Sequence, residues 1–415
     1  MLKVVFKNVH VLDGTGALPF AGQVLVEGNR IAAVVPEGVA LAADGARVVD
    51  GNGGTLMPGL VESHAHLSFT DIKVGTELGN TPPEEHTLRT AAYARTLLEH
   101  GFTSCVSAAS AKPRLDVAVR AAIDVGDIPG PRLLTASPEM TVTSGLGDAQ
   151  LSHIYQESFA VVRDGADGFR RYAREMCREG VDTLKINPSG DTLLPRARSG
   201  QTVMTEAEVA AVCAVARAHG RRVAAHARSA ESVKLCVRHG VQIIYHANLA
   251  DKQACDLLES HKDNVFVAPT VGWIVAVLER GPEFGRAREP DERATLEREL
   301  EATVETMREL KQRGVRVLPG GDYGFAWNPN GSNARDLEHF VELLGFSAME
   351  AILAATKFGG QMMMMAEELG QVRSGYLADL LLVHGDPLKD VRILQDKRRL
   401  LAVMKDGVLF NYRDS

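Results

Sequence analysis

Residue types that bind divalent cations recur where short apolar runs end. A strand near Leu56 leads into His64-Ala65-His66, and side chains two apart on a strand share a face, so both imidazoles point the same way. Thr183-Leu184-Lys185-Ile186 carries a lysine. Val223-Ala224-Ala225-His226 and Val241 to His246 each end in histidine, and Val315 to Leu318 runs into Gly320-Gly321-Asp322. One His-x-His pair is common by chance. Four imidazoles and a carboxylate, each at a strand's C-terminal end, form a constellation that a metal site explains better than a structural role does.

The elements that must position these groups follow a repeated grammar between about 57 and 365. A helical pattern ends in a charged or basic residue plus glycine, and a short apolar strand follows. Glu99-His100-Gly101, Arg178-Glu179-Gly180, Ala218-His219-Gly220, Arg238-His239-Gly240 and Gln312-Arg313-Gly314 are the instances. Glycine accepts the left-handed conformation just past a helix, and a cation there complements the helix dipole. With further strands near Leu56, Arg132–Thr135 and Val265–Val267, eight strands alternate with helices. That pattern predicts an α/β chain folded as a (β/α)8 TIM-like barrel, whose active site lies at the C-terminal strand ends. The stretches 1–56 and 366–415 read instead as short strands and turns, two halves of one discontinuous β domain flanking a barrel at 57–365.

Composition sets outer limits. Of 415 residues, 46 are Lys or Arg and 53 are Asp or Glu, a net charge of −7 that argues against a nucleic-acid partner. Hydrophobic residues at 45% and charged residues at 24% exclude disorder or a fibrous repeat. No apolar run reaches the roughly 18 residues of a membrane span. The first residues lack a signal-peptide pattern, and the five cysteines form no CxxC pair, which suits a cytoplasmic protein acting on a small molecule.

Pro58-Gly59-Leu60-Val61-Glu62-Ser63-His64-Ala65-His66 resembles the opening motif of the amidohydrolase superfamily, with His226, His246 and Asp322 in that family's strand order. The tail from Gly375 to Val383 is similar to its C-terminal β segment. The resemblance implies a metal-dependent hydrolase with a barrel and a small β-sandwich built from both termini, and a homo-oligomer. Lys185 resembles the carboxylated lysine of the binuclear branch, in particular the imidazolonepropionase and Xaa-Pro dipeptidase-like subgroup. On that likeness His64, His66 and Asp322 hold one ion, His226 and His246 a second, and a CO2-derived carbamate on Lys185 bridges them. A hydroxide shared between the ions attacks an amide-type carbonyl, while Asp322 serves as base and then acid. Borderline ligands without a thiolate favour two Zn2+ ions.

The specificity positions depart from the dipeptidase pattern. Leu146 stands where those relatives carry a histidine in a Gly-Gly-His-Gly-Asp loop, and His226-Ala227-Arg228 and Tyr245-His246-Ala247 also differ. An amide, N-acyl amino acid, urea or carbamate therefore fits better than a dipeptide. Arg228 is a candidate substrate contact, or else an ion-pair partner of Asp251 or Glu231. Tyr245, Trp327, His153 and His86 are further pocket candidates. The charge run from Arg286 to Glu301 reads as a solvated helix face. A Xaa-Pro-type dipeptidase, a one-metal cyclic amidine deaminase and an inactive scaffold are the competing readings.

Overall fold

In the computed structural model, which describes residues 3–412, the two ends of the chain build one mixed sheet of seven strands. Its order is Val408–Tyr412, Leu400–Lys405, Leu380–Val383, Arg47–Pro58, Lys3–Val11, Phe20–Glu27, Arg30–Pro36. Lys3–Val11 and Arg47–Pro58 are parallel, and the other neighbours antiparallel. The period of two sorts the side chains. Leu380 and Leu382 join Val4, Phe6 and Leu56 in the sheet's own core, whereas Leu381 and Val383 join the barrel core. Burial on both faces explains why that strand is an unbroken apolar run.

The strand through Leu56 belongs to this sheet and not to the barrel: Leu56 is paired with Val11 on one side and Leu382 on the other. The chain crosses over at Pro58-Gly59. A Cβ on Gly59 would lie 2.1 Å from Thr103 Oγ1, so no side chain fits at the crossing.

The barrel strands are Leu60–Ala65, Phe102–Ser107, Arg132–Leu134, Thr183–Ile186, Arg222–Ser229, Ile243–Leu249, Phe266–Ala268 and Arg316–Val317, all parallel. A single bridge, Ala136 to Thr183, joins the third to the fourth. The ring closes where Gly320 meets the first strand, since a Cβ there would sit 2.8 Å from His64 Cβ. Two short strands were not legible in advance. Met140–Thr141 adds beside the fourth strand and Val161–Val162 beside Met140–Thr141, folding the segment after the third strand back over the barrel mouth. Among the described residues no helix is long and apolar enough to cross a membrane.

Candidate active site

Five barrel strands deliver six buried polar side chains to one point. His64 Nε2 lies 3.6 Å and His66 Nε2 3.2 Å from Asp322 Oδ1. The rings of His64 and His246 are 5.4 Å apart, and those of His226 and His246 4.1 Å. One ligand atom each from His64, His246 and Asp322 falls within 4.8 Å of the others. Lys185 Nζ sits 3.6 Å from Glu139 Oε1 and 4.8 Å from the centre of the Tyr245 ring. The strand ends are bent to achieve this: His246 has φ +76° and Asp322 φ +57°, a region that costs a non-glycine residue about 1–3 kcal/mol. The Asp322 turn is braced by Asp336 Oδ2, which accepts from Gly320 N at 2.8 Å. Asn328 Nδ2 donates to the carbonyls of Gly321 and Asp322.

Hydrogen bonds assign the imidazole protons. Thr270 donates its hydroxyl proton to Pro269 O at 2.7 Å, so its oxygen can only accept from His246 Nδ1, 2.6 Å away. His246 Nε2 is left with a lone pair, buried and without a partner. A carbonyl can only accept, so His226 Nε2 donates to Gly190 O at 3.0 Å, leaving its Nδ1 as the basic nitrogen. By the same logic His66 Nδ1 donates to Ala109 O at 3.4 Å, which turns the lone pair on Nε2 toward Asp322. Burial holds His64 and His246 well below the usual imidazole range and His226 at about 4. Burial opposes ionisation of Asp322, yet positive charge on His64 or His66 when protonated, and on Lys185, holds its carboxyl below the ordinary range. Neutral lone pairs converging on an ionised carboxylate need a cation between them, and this donor set fits divalent metal.

The six residues form the floor of a cleft of about 150 Å³. Its walls are apolar and largely aromatic: Phe69, Leu78, Phe159, Trp273, Phe325 and Trp327, with Leu146 and Leu193. Leu146 and Trp327 thus lie where a substrate contact would have to be. Four other candidates do not line the cleft. Arg228 is 1% exposed and points into the barrel wall, bonded to Asp191, Asn248 and Glu299. Neither carboxylate expected beside it is its partner, because Glu231 and Asp251 both pair with Lys234. Tyr245 is fully buried beneath His64, with ring centres 3.9 Å apart. His153 is exposed on the loop after the third strand. His86 is buried in the helix Pro83–Glu99 and bonds Ser68 O. Glu139, Asp191 and Arg286 line the cleft without having been singled out from the sequence. Glu139 had a signal, a carboxylate just past the third strand. Arg286 precedes the helix Pro290–Gln312, so it stands in a turn and not on the solvated helix face.

The sequence pattern of the amidohydrolase family matches residues 55–410. The chain belongs to the amidohydrolase family. It is 26% identical over 381 residues to an ochratoxinase of Aspergillus niger, covering 86% of this chain and 75% of that protein. A prolidase solved in complex with N-methylphosphonate-L-proline superposes with a TM-score of 0.89 at 27% identity, over 99% of this chain and 100% of the other. A Xaa-Pro dipeptidase with methionine in its active site gives 0.86 at 26%, with the same coverage. This amidohydrolase is accordingly a metal-dependent hydrolase acting on carbon–nitrogen bonds. The histidines, Lys185 and Asp322 meet at the C-terminal ends of the barrel strands.

Proposed function

We propose that the enzyme hydrolyses an amide-type C–N bond in a small substrate with a large apolar part. The supporting observation is that buried His246, whose Nε2 has no hydrogen-bond partner, brings a ligand atom within 4.8 Å of those of His64 and Asp322. His64, His66 and Asp322 would hold one divalent ion and His226 and His246 a second, with a carbamate on Lys185 between them. Ions in that cradle supply Lewis acidity at the scissile carbonyl and a water that is nucleophilic at neutral pH. Asp322 accepts the proton of the attacking water and returns it to the departing nitrogen, acting as base and then acid. Lys185 becomes a carbamate by adding CO2 through its neutral amine with loss of a proton, and its burial favours the neutral form. Glu139 pairs with the uncarboxylated amine and would face a like charge once the carbamate forms. The aromatic walls shut water away from the apolar part of the substrate.

Zinc is the proposed ion, because imidazole and carboxylate ligands without thiolate suit it. The five cysteines are free and buried, which fits a cytoplasmic enzyme, and the family resemblance supports a homo-oligomer. A Xaa-Pro-type dipeptidase is the second reading, favoured by the likeness to the prolidase and opposed by Leu146 in the cleft wall.

Metal analysis combined with a hydrolysis panel of N-acyl amino acids, dipeptides, aryl amides, phenylureas and carbamates tests these readings. About two ions per chain and turnover of a non-dipeptide amide are expected. One ion per chain would point to a deaminase instead. Lys185→Ala should lose metal and activity together and recover part of both with short-chain carboxylic acids. Full activity in that variant would remove the bridging role.

A further inference from the structure

Five charged side chains other than histidine line the cleft. Lys185 and Glu139 face each other, Asp191 faces Arg228, and Asp322 belongs to the proposed metal cradle. Arg286 is the exception: among the described residues no carboxylate lies within ion-pair distance of it. Its guanidinium carbon lies 5.3 Å from the centre of the Trp327 ring, and the side chain is half-buried. The backbone around it is held in an unusual shape. Gly285 has φ +79°, buried Ala287 has φ +49°, and Arg286 N donates to Gly281 O at 2.9 Å. A left-handed alanine costs about 1–2 kcal/mol, so the turn is not the chain's local preference; it fixes how Arg286 leaves the backbone.

A guanidinium held over an aromatic face keeps its N–H edge free for a planar, bidentate acceptor. The surrounding rings of Phe69, Phe159 and Phe325 offer no hydrogen bonds and accept only apolar surface. A ligand that satisfies both features carries a carboxylate on an apolar or aromatic body. From this unpaired cation we infer that Arg286 binds the carboxylate of the substrate. The substrates are N-acyl amino acids with a large apolar group, in preference to neutral amides, ureas or carbamates. This narrows the hydrolase reading above and rests on it.

The test is a matched pair, N-benzoyl-L-phenylalanine and N-benzoyl-2-phenylethylamine, which differ only in the carboxylate. Wild-type enzyme should favour the acid. Arg286→Met should raise KM for the acid by roughly 10- to 100-fold, leave kcat within about twofold and leave the neutral analogue unchanged. Arg286→Lys, which keeps the charge and loses the fork, should fall between. The inference is overturned if wild type favours the neutral analogue, or if Arg286→Met affects both substrates alike or neither. If wild type cleaves neither, the hydrolase reading fails for this pair, and carboxylate recognition is read by binding alone. Titration with 3-phenylpropanoate and 3-phenylpropanamide should then show the anion losing about tenfold in affinity in Arg286→Met while the amide is unmoved; equal affinities in the two proteins would overturn it.

Discussion

One hydroxyl controls which nitrogen His246 presents. Thr270 spends its proton on Pro269 O and so accepts from His246 Nδ1, leaving Nε2 basic. Thr270→Val keeps the shape and the β-branch but removes the acceptor. It should weaken metal binding about 10- to 100-fold with little change in melting temperature, measured by competition with a graded chelator. An unchanged affinity would mean that the ring is oriented by packing alone. At this scale the sequence was most informative where a residue type is chemically rare at a strand end, as with His64, His66, His226, His246 and Asp322. It was least informative for Glu139, Asp191 and Arg286. Each gains its meaning from a partner far away in the chain, or from the lack of one, and no local pattern records that. Arg228 shows the reverse case, since its place two residues past a histidine suggested the cleft. The deciding fact was Glu299, 71 residues away on a helix whose acidic face is otherwise solvated.

Among elements, one tight join is between the last and first barrel strands. A Cβ on Gly320 would meet His64 Cβ at 2.8 Å and His64 N at 3.0 Å, both on a strand that cannot retreat. Gly320→Ala should therefore cost about 1–3 kcal/mol and push His64 off its position, lowering metal content along with the denaturation midpoint. Loss of stability without loss of metal would show that the strand shifts as a unit. The helix–glycine–strand grammar made the barrel readable because each joint is local chemistry: Gly180, at φ +91°, bonds back to Met176 and Cys177 at the end of its helix. Two elements broke the reading for a common reason. Leu56 and Met140 are apolar residues in short extended runs, and only their neighbours decide which sheet receives them.

Across the whole molecule, the terminal sheet is tied to the barrel by a buried charge. Arg132, on the third barrel strand, reaches Asp379 at 3.5 Å and Asp406 at 2.6 Å, both in the terminal segment. Asp379 is 3% exposed, and burial raises its carboxyl above the ordinary value of 3.8 despite Arg132. Arg132→Met strands that carboxylate and should cost about 3 kcal/mol near neutral pH, read by chemical denaturation. The sign with pH follows. A carboxyl raised in the folded state keeps its proton where the unfolded chain has lost it, so this destabilisation grows as pH rises from 3.8 and shrinks toward it. The deficit of the variant should accordingly narrow on acidification. A constant deficit would place the cost in packing and not in charge.

The order of the sheet also sets a schedule for the ribosome. Arg47–Pro58 is made early, yet its neighbour Leu380–Val383 comes more than three hundred residues later. At roughly 5–20 residues per second, an apolar strand edge waits some tens of seconds for its partner while the barrel is still being assembled. During that interval the unpaired edge can recruit the same segment of a neighbouring nascent chain. Slow synthesis or early termination before Leu380 is thus a route to aggregation for this fold, and the last strands act as the cover that ends the risk.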